Sequence, residues 1–146
     1  MKLTYRLAVL SMLVVTPLPA VAATIDAVMY KNPQCSCCES YAAYLEQNGF
    51  KVDIKPVNNL SQISGDAGVP ADLEGCHTLM VHGYVVDGLV PVDIVKKLLT
   101  ERPAITGITL AGMPTGAPGM GGEKDGIWTI YAFTKDGTAP TVYATK

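Results

Sequence analysis

The sequence predicts one domain of the α/β class. Segments in which apolar residues alternate, as they do in strands, are separated by segments in which apolar residues recur at helical spacing. The 146 residues suit a single domain with its own core. In chain order these segments give β-α-β-α-β-β-α, followed by a long loop and two further strands.

The N-terminal residues have the pattern of a secretory signal peptide. Lys2 and Arg6 supply a positive start, and the apolar run at 7–15 is shorter than the roughly 20 residues that a membrane-spanning helix needs. Small residues then form an A-x-A cleavage pattern. We therefore expect residues 1–22 to be removed, which leaves a mature domain of residues 23–146 in an oxidising compartment. A retained membrane anchor is the alternative.

The expected mature chain is acidic. Without Lys2 and Arg6, 9 basic residues stand against 13 acidic ones. The basic residues form no stripe along the sequence. We therefore expect neither nucleic acid nor an anionic membrane as a partner.

The first half of the chain predicts two strands around a cysteine-bearing helix. Residues 24–30 and 50–57 alternate in the manner of strands. Between them, from about Ser36, an apolar stripe has helical spacing, and Gly49 ends the helix. A short helix and a loop follow at 58–75. The stripe consists of Cys38, Tyr41, Ala42 and Leu45.

The second half predicts two strands, a helix and a long loop. The two strands, within residues 77–88, meet tightly at Gly83. A helix follows at 90–103 and is stopped by a proline. Residues 105–126 are dense in glycine and proline and are predicted to be a loop. The helix stripe is Val92, Val95, Leu98 and Leu99, and the last two strands, a predicted hairpin, are residues 127–134 and 140–146.

This order of elements resembles the thioredoxin-like fold, in which a strand leads into a helix that begins at a cysteine motif. In such folds the loop before the third strand usually ends Pro-Thr-Leu, with a cis proline, and packs against that motif. The matching stretch here is "GCHTL", with His77 where the proline would stand. The resemblance therefore predicts that Cys76 and His77 lie beside the three clustered cysteines, with the long loop and the hairpin as C-terminal additions.

The stretch "NPQCSCCES" places Cys35, Cys37 and Cys38 within four positions. Cys35 and Cys38 have the C-x-x-C spacing of a dithiol oxidoreductase, and a helix N-terminus favours a thiolate there. That chemistry gives Cys37 no task, and pairing Cys37 with Cys38 requires a strained ring. Structural disulfides fit poorly, because cysteines this close do not cross-link distant segments. An extra thiolate suits a metal site.

The methionines favour copper over zinc. Thiolates and thioethers together select copper(I), whereas structural zinc sites use cysteine and histidine. Met113 and Met120 lie in the glycine- and proline-rich loop with no apolar stripe to bury them, so we interpret them as ligands. Met29 and Met80 lie within strand patterns and are interpreted as core residues.

The two histidines receive different interpretations. His77 follows Cys76 directly, and it is open whether this side chain is a metal ligand or a packed loop residue. His82 lies at the end of a strand pattern and is predicted to be solvated.

Four motifs occur in order along the chain: C-x-C-C, "GCHT", "GYVVDGLVP" and "GMPTGAPGM". Together they resemble the CopG-type periplasmic copper-resistance proteins, the domain-of-unknown-function 411 family, from about Ile25 to the end of the chain. The resemblance implies a thioredoxin-like fold whose cysteines hold a multinuclear, sulfur-bridged copper site with a role in copper redox handling. It makes Cys35, Cys37, Cys38 and Cys76 the thiolate ligands, and it places Met113 and Met120 in the family's methionine loop. Family members often carry a histidine where this chain has Leu89, so a copper site that needs that histidine is not supported.

The leading hypothesis is a periplasmic protein that binds copper(I) through a cysteine cluster and protects against copper. Its expected partners are copper ions and other periplasmic copper-handling proteins. A thiol–disulfide oxidoreductase that uses Cys35 and Cys38 is the alternative, and a metal-free structural disulfide protein is a third interpretation. The residues leave open whether the chain is an enzyme that changes the oxidation state of copper.

Overall fold

The computed structural model describes residues 23–146, in which seven strands and three α-helices occur. The predicted signal peptide, residues 1–22, lies outside the described residues. The strands are β1 (Ile25–Lys31), β2 (Phe50–Pro56), β3 (His77–Val81), β4 (Tyr84–Gly88), β5 (Gly107–Leu110), β6 (Thr129–Phe133) and β7 (Thr141–Thr145). The helices are α1 (Ser36–Gln47), α2 (Leu60–Ala67) and α3 (Val92–Glu101), with a 3-10 turn at Ala71–Leu73. This confirms the prediction of a mixed α/β fold.

All seven strands form one mixed sheet in the order β2-β1-β3-β4-β5-β6-β7. Two parallel pairs, β1 with β2 and β4 with β5, are each joined by a crossover helix, α1 and α3 respectively. The other neighbours are antiparallel, including the predicted C-terminal hairpin of β6 and β7. Because β1 and β3 run antiparallel, Lys31 at the end of β1 lies opposite His77 at the start of β3.

The prediction of an unbroken loop over residues 105–126 was wrong at its start, where β5 lies. All four residues of β5 are buried between two neighbouring strands, so the segment carries no alternation of apolar and polar residues. Gly107 occupies a point of close backbone approach, since a Cβ there would overlap the carbonyl oxygen of Val85. Four residues that begin with glycine do not look like a strand when only local pattern is used.

The two predicted helix stripes are largely buried. In α1 the four predicted residues are all buried, and the chain leaves the helix at Gly49, whose φ is +93°. In α3 the stripe is shifted, because Ile94 is buried while Leu99 is only partly buried. His82 is exposed in the turn between β3 and β4, which confirms its predicted solvation.

Helices cover both faces of the sheet around β3. The ring of His77 packs against Tyr41 of α1, with ring centroids 4.9 Å apart. The next residue, Thr78, hydrogen-bonds to Ser64 of α2 at 2.7 Å. Since successive strand residues point to opposite faces, α1 and α2 lie on opposite sides of the sheet. The start of α1 and the loop before β3 thus meet at one end of the sheet, on the α1 side. No helix within residues 23–146 is both long enough and apolar enough to cross a membrane.

Candidate metal centre

The turn between β1 and α1 presents the first three cysteines. The backbone N–H of Cys35 donates to the carbonyl oxygen of Asn32 at 3.0 Å, and the Asn32 side chain accepts from the N–H of Gln34, also at 3.0 Å. Cys35 is the N-cap of α1, with extended backbone angles, so Cys37 and Cys38 fall in the first helical turn. An asparagine-stabilised turn therefore fixes where these thiols begin.

The loop before β3 brings Cys76 to the same place. The N–H of Asn32 donates to the carbonyl oxygen of Cys76 at 3.3 Å, which joins the two loops. On the other side, the buried carboxylate of Asp87 accepts from the N–H of Gly75 at 2.5 Å and from the hydroxyl of Thr78 at 2.9 Å. A Cβ on Gly75 would lie 2.9 Å from an oxygen of Asp87, so this position favours glycine. Asp87 thus holds the backbone just before Cys76 and the side chain of Thr78 just after it.

The four cysteine sulfurs form one compact group. The Sγ atom of Cys76 lies 3.1 Å from that of Cys35, 3.2 Å from that of Cys38 and 3.6 Å from that of Cys37. Cys35 and Cys37 are 3.0 Å apart at sulfur. All four sulfurs lie within 4.8 Å of one another. Two sulfurs that share an ion at roughly 2.3 Å each lie less than about 4.6 Å apart, so sulfurs in this group are close enough to share ions.

Two of the four cysteines are joined in the structure. Cys35 and Cys38 form a disulfide across the C-x-x-C spacing, with Cα atoms 5.6 Å apart, and Cys37 and Cys76 are free thiols. Metal binding by all four sulfurs therefore requires that this bond first be reduced. The group can therefore exchange disulfides through Cys35 and Cys38. When that bond is reduced, it can offer four thiolates to a metal.

The group opens to solvent on one side. Cys38 is fully buried, whereas Cys35, Cys37 and Cys76 line a cavity of about 340 Å³. The remaining wall is uncharged and consists of Asn32, Gln34, Ser36 and Met113. A metal ion can thus reach three of the sulfurs from outside, while the fourth forms the floor.

Burial holds Cys76 in its thiol form. Burial, followed by a hydrogen bond with Cys37, raises the pKa of Cys76 to about 12. The free thiol is therefore protonated at neutral pH, and a metal ion that binds it must displace a proton.

Of the two loop methionines, Met113 approaches the sulfur group. Its Sδ atom is 3.8 Å from the Sγ atom of Cys37, and its side chain is 52% exposed. Met120 is partly buried and packs against the core, and no hydrogen bond from a described cysteine reaches it. Gly119 brings the loop onto α1: its φ is +91°, and a Cβ there would lie 2.7 Å from the carbonyl oxygen of Cys37. The loop is therefore packed against the cysteine-bearing turn.

The other two methionines are partly or fully buried, as predicted for core residues. Met29 is fully buried, and Met80 packs, half-buried, against a smaller apolar cluster around α2. Leu89 is fully buried as well.

His77 is buried apart from the sulfur group. Neither ring nitrogen has a hydrogen-bond partner, and the side chain is fully enclosed. Burial lowers the pKa of His77 to about 4, an effect that the nearby backbone of Gly88 opposes in part. The ring nitrogens do not belong to the set of ligand atoms that lie within 4.8 Å of one another. The structure thus brings together the four cysteines and Met113, it leaves the ring nitrogens of His77 outside this group, and Met120 makes no hydrogen bond with a described cysteine.

Two residues near the site escaped the sequence analysis, Lys31 and Asp87. Asp87 is a charged residue within an apolar strand pattern, Lys31 directly follows one, and both are buried. A charge in or beside an apolar strand pattern can be seen in the sequence. The contacts that give these residues a role cannot, because they are made with other segments.

The buried carboxyl of Asp87 should make stability depend on pH. Burial raises the pKa of Asp87 to about 7, so the folded state favours the protonated form. The stabilising contribution is complete below about pH 4 and is lost as the pH rises through 7. His77, whose pKa is lowered, contributes the opposite slope and loses stability as the pH falls from 6.5 towards 4.

We therefore expect Asp87→Asn to gain stability relative to the parent protein as the pH rises from 4 to 8, by up to about 4 kcal/mol. Urea unfolding of the metal-free protein across this range measures the difference. At pH 4 the side chain at position 87 is uncharged in both folded proteins. The stability difference measured there is therefore the reference for the differences at higher pH. Parallel stability curves would refute the assignment of the pH dependence to Asp87.

The fold and the site define a class of protein: an α/β domain with four clustered cysteines at the junction of a strand, a helix and a loop. Two solved structures of this class, titled copper resistance protein CopG, Form 2 and Form 1, are similar to the chain. They are 31% and 32% identical to it, with TM-scores of 0.77 and 0.76, and each alignment covers 84% of this chain and 98% of the other. A sequence family described as protein of unknown function, DUF411, matches residues 73–120. No curated protein sequence matches the chain.

The chain therefore belongs to the DUF411 family and is of the CopG type, which confirms the resemblance drawn from the four motifs. The DUF411 match includes Cys76, Met113 and Met120, while the alignments with the CopG structures extend over most of the described chain.

Proposed function

We propose that this protein binds copper(I) through Cys35, Cys37, Cys38 and Cys76 and thereby takes part in copper resistance. The observation that carries the proposal is the group of four sulfurs within 4.8 Å of one another. Soft thiolates select copper(I), and the similar solved structures are copper resistance proteins by title.

In this proposal the sulfurs bridge several copper ions. Four thiolates can serve more than one ion only if each thiolate contacts two, and the short spacing of Cys76 from the other three sulfurs suits such sharing. Cys76 is then a shared ligand that joins a second segment to the three sulfurs at the start of α1. Met113 adds a thioether at the mouth, next to Cys37.

The site is proposed to work in the periplasm, in a mature domain of residues 23–146, with copper ions and other copper-handling proteins as partners. The thioredoxin-like description of the fold stays our interpretation. It is supported by a strand, a cysteine-bearing helix start and a loop that packs against it.

Copper(I) should bind the reduced protein more tightly than zinc by a factor of about a hundred or more, because the site combines soft thiolates with a thioether. Binding at pH 7 should also release protons, since Cys76 is then a protonated thiol. Competition titrations with a chelator for each ion, in weakly buffered solution with a pH indicator, measure both effects. Equal retention of zinc and copper would remove the copper assignment.

Replacing Met113 with leucine should weaken copper(I) binding several-fold without a change in thermal midpoint. Leucine keeps the size and apolarity of the side chain. Volume-conserving exchanges cost little stability, and they cost still less at a position that is 52% exposed. The matched control is Met120→Leu, which removes the partly buried thioether of the same loop, one that makes no hydrogen bond with a described cysteine. Chelator competition gives both affinities. Equal losses in the two variants would show that the loop acts through packing, and no loss in either would restrict the site to the cysteines.

A thiol–disulfide oxidoreductase is the second candidate, because Cys35 and Cys38 form a disulfide at the start of α1. In that reaction a thiolate of a substrate attacks the Cys35–Cys38 bond, forms a mixed disulfide and leaves the other cysteine as a thiolate. One observation favours copper instead: the free thiols of Cys37 and Cys76 lie within the same sulfur group, and the exchange reaction does not use them.

A further inference from the structure

Lys31 carries a positive charge in an unusual place. It is the only buried lysine or arginine in residues 23–146, and its side chain is 1% exposed. It lies on β1 on the same side of the strand as Ala27 and Met29, which are core residues. Burial of an ammonium group is costly unless a negative charge is close. A methionine or leucine would fill the position without that cost.

The existing partners of Lys31 offset this cost only in part. Its Nζ atom lies 3.1 Å from a carboxylate oxygen of Glu39 and donates to the carbonyl oxygen of Pro33 at 3.3 Å. The side chain of Glu39 is 65% exposed, so its charge is shared with water. The buried carboxyl group of Asp87 is not an alternative partner, because it lies with Thr78 on the α2 side of the sheet, opposite to Lys31.

Lys31 lies between the two segments that supply the sulfurs. Its two contacts, Pro33 and Glu39, bracket the stretch that contains the first three cysteines. Across the sheet Lys31 is paired with His77, which follows Cys76 directly. The ammonium group is thus fixed to the segment of the first three cysteines, and the backbone of Lys31 lies opposite the residue that follows Cys76.

Copper binding creates the negative charge that this position lacks. A copper(I) ion held by two thiolates carries a net charge of −1, and one held by three carries −2. In the metal-free structure Cys35 and Cys38 are joined in a disulfide and carry no charge. A fixed positive charge therefore favours the copper-loaded forms over the metal-free form. Its effect on copper(I) affinity is largest for the first ions, because the net negative charge is greatest while bound copper ions are fewer than thiolates.

We propose that Lys31 is the built-in counter-charge of the copper site, a residue that raises copper(I) affinity through its charge and at the expense of stability in the metal-free protein. This inference rests on the proposed copper(I) function. At an effective dielectric constant near 20, a unit charge about 10 Å away changes an equilibrium constant by roughly a factor of ten.

Three variants separate the charge of Lys31 from its packing. Lys31→Met removes the charge and keeps the length, Lys31→Arg keeps the charge, and Glu39→Gln removes only the solvated carboxylate. We expect Lys31→Met to bind the first copper(I) ion about tenfold more weakly. Its metal-free form should have an equal or higher thermal midpoint, because the buried ammonium group is removed and the Glu39 carboxylate that is left is 65% exposed. Lys31→Arg should retain most of the affinity. Glu39→Gln should bind copper(I) as tightly as the parent protein or more tightly, because a negative charge beside the ammonium is gone.

The measurements are chelator competition at substoichiometric copper(I) and thermal unfolding of the reduced, metal-free proteins. An ordinary structural ion pair predicts the opposite pattern: both Lys31→Met and Glu39→Gln would lower the thermal midpoint and weaken binding together, and that result would overturn the inference. Equal affinities of Lys31→Met and the parent protein would also overturn it, with the copper function intact. Should Lys31→Met not fold, Glu39→Gln decides, since weaker binding in that variant contradicts the proposal. A parent protein that binds no copper(I) would instead remove the proposed function, and this inference with it.

Discussion

Replacing Cys76 with serine should lower the affinity for copper(I) by about a hundredfold or more, since loss of supporting contacts alone costs ten- to hundredfold at metal sites. Its sulfur is the one that comes from a second segment of the chain, and it lies 3.1, 3.2 and 3.6 Å from the three others. Without it, the remaining cysteines all come from one turn of one helix and cannot surround an ion from a second side. Chelator competition on the reduced protein measures the affinity, and mass spectrometry under non-denaturing conditions measures the number of ions.

The control for this variant is Ser36→Ala. Ser36 lines the same opening as Cys76 but supplies no sulfur, so its replacement should leave copper binding unchanged. Thermal unfolding of the metal-free Cys76→Ser protein checks that the loop before β3 still folds, as expected from the backbone bonds that Asn32 and Asp87 make around it. A folded Cys76→Ser protein with parental affinity would mean that Cys76 is no ligand, and the proposed four-sulfur site would be incorrect.

Replacing Cys37 with serine should lower the number of bound copper ions while leaving the Cys35–Cys38 disulfide able to form. Cys37 is a free thiol, 3.0 Å from Cys35 at sulfur and 3.8 Å from the thioether of Met113. The variant therefore removes one thiolate and the contact with the loop, but neither half of the C-x-x-C pair. We expect weaker binding of the later copper ions, because these depend most on shared thiolates.

This variant also distinguishes the two candidate functions. The copper proposal predicts that Cys37→Ser binds fewer copper ions, as measured by mass spectrometry. Oxidation of the variant should still consume two thiols, because the Cys35–Cys38 disulfide can form. The matched variant is Cys38→Ser, which should abolish that disulfide and also damage copper loading. Full copper loading in Cys37→Ser would show that Cys37 is not a ligand. If that protein also reduced disulfide substrates at the parental rate, the oxidoreductase candidate would be favoured.

Features with a local periodic signal were predicted well from the sequence. The apolar stripe of α1 is buried residue by residue, because 3.6-residue periodicity already tells which side of a helix meets a core. The stripe of α3 was less accurate: Ile94 is buried and Leu99 is only partly so, since the neighbours that cover a helix decide how wide its buried face is. The strand β5 was missed altogether, because a strand with neighbours on both sides and both faces covered shows no alternation.

In the candidate metal centre, too, some features follow from local sequence and others only from tertiary contacts. The sequence by itself determined that three cysteines begin a helix and that the loop methionines lie outside any apolar stripe, because both features are encoded within a few residues. The tertiary structure decided which of the remaining candidates meet. Cys76 reaches Cys38 across 38 positions because β1 and β3 pair antiparallel, and that register sets Lys31 opposite His77. His77 also faces the α1 side of the sheet, but as the first residue of β3 it packs under Tyr41 in the core, and its ring nitrogens do not enter the sulfur group. Charge placement was likewise beyond local pattern, since a lysine at the end of a strand is buried or solvated according to the helix that packs over it.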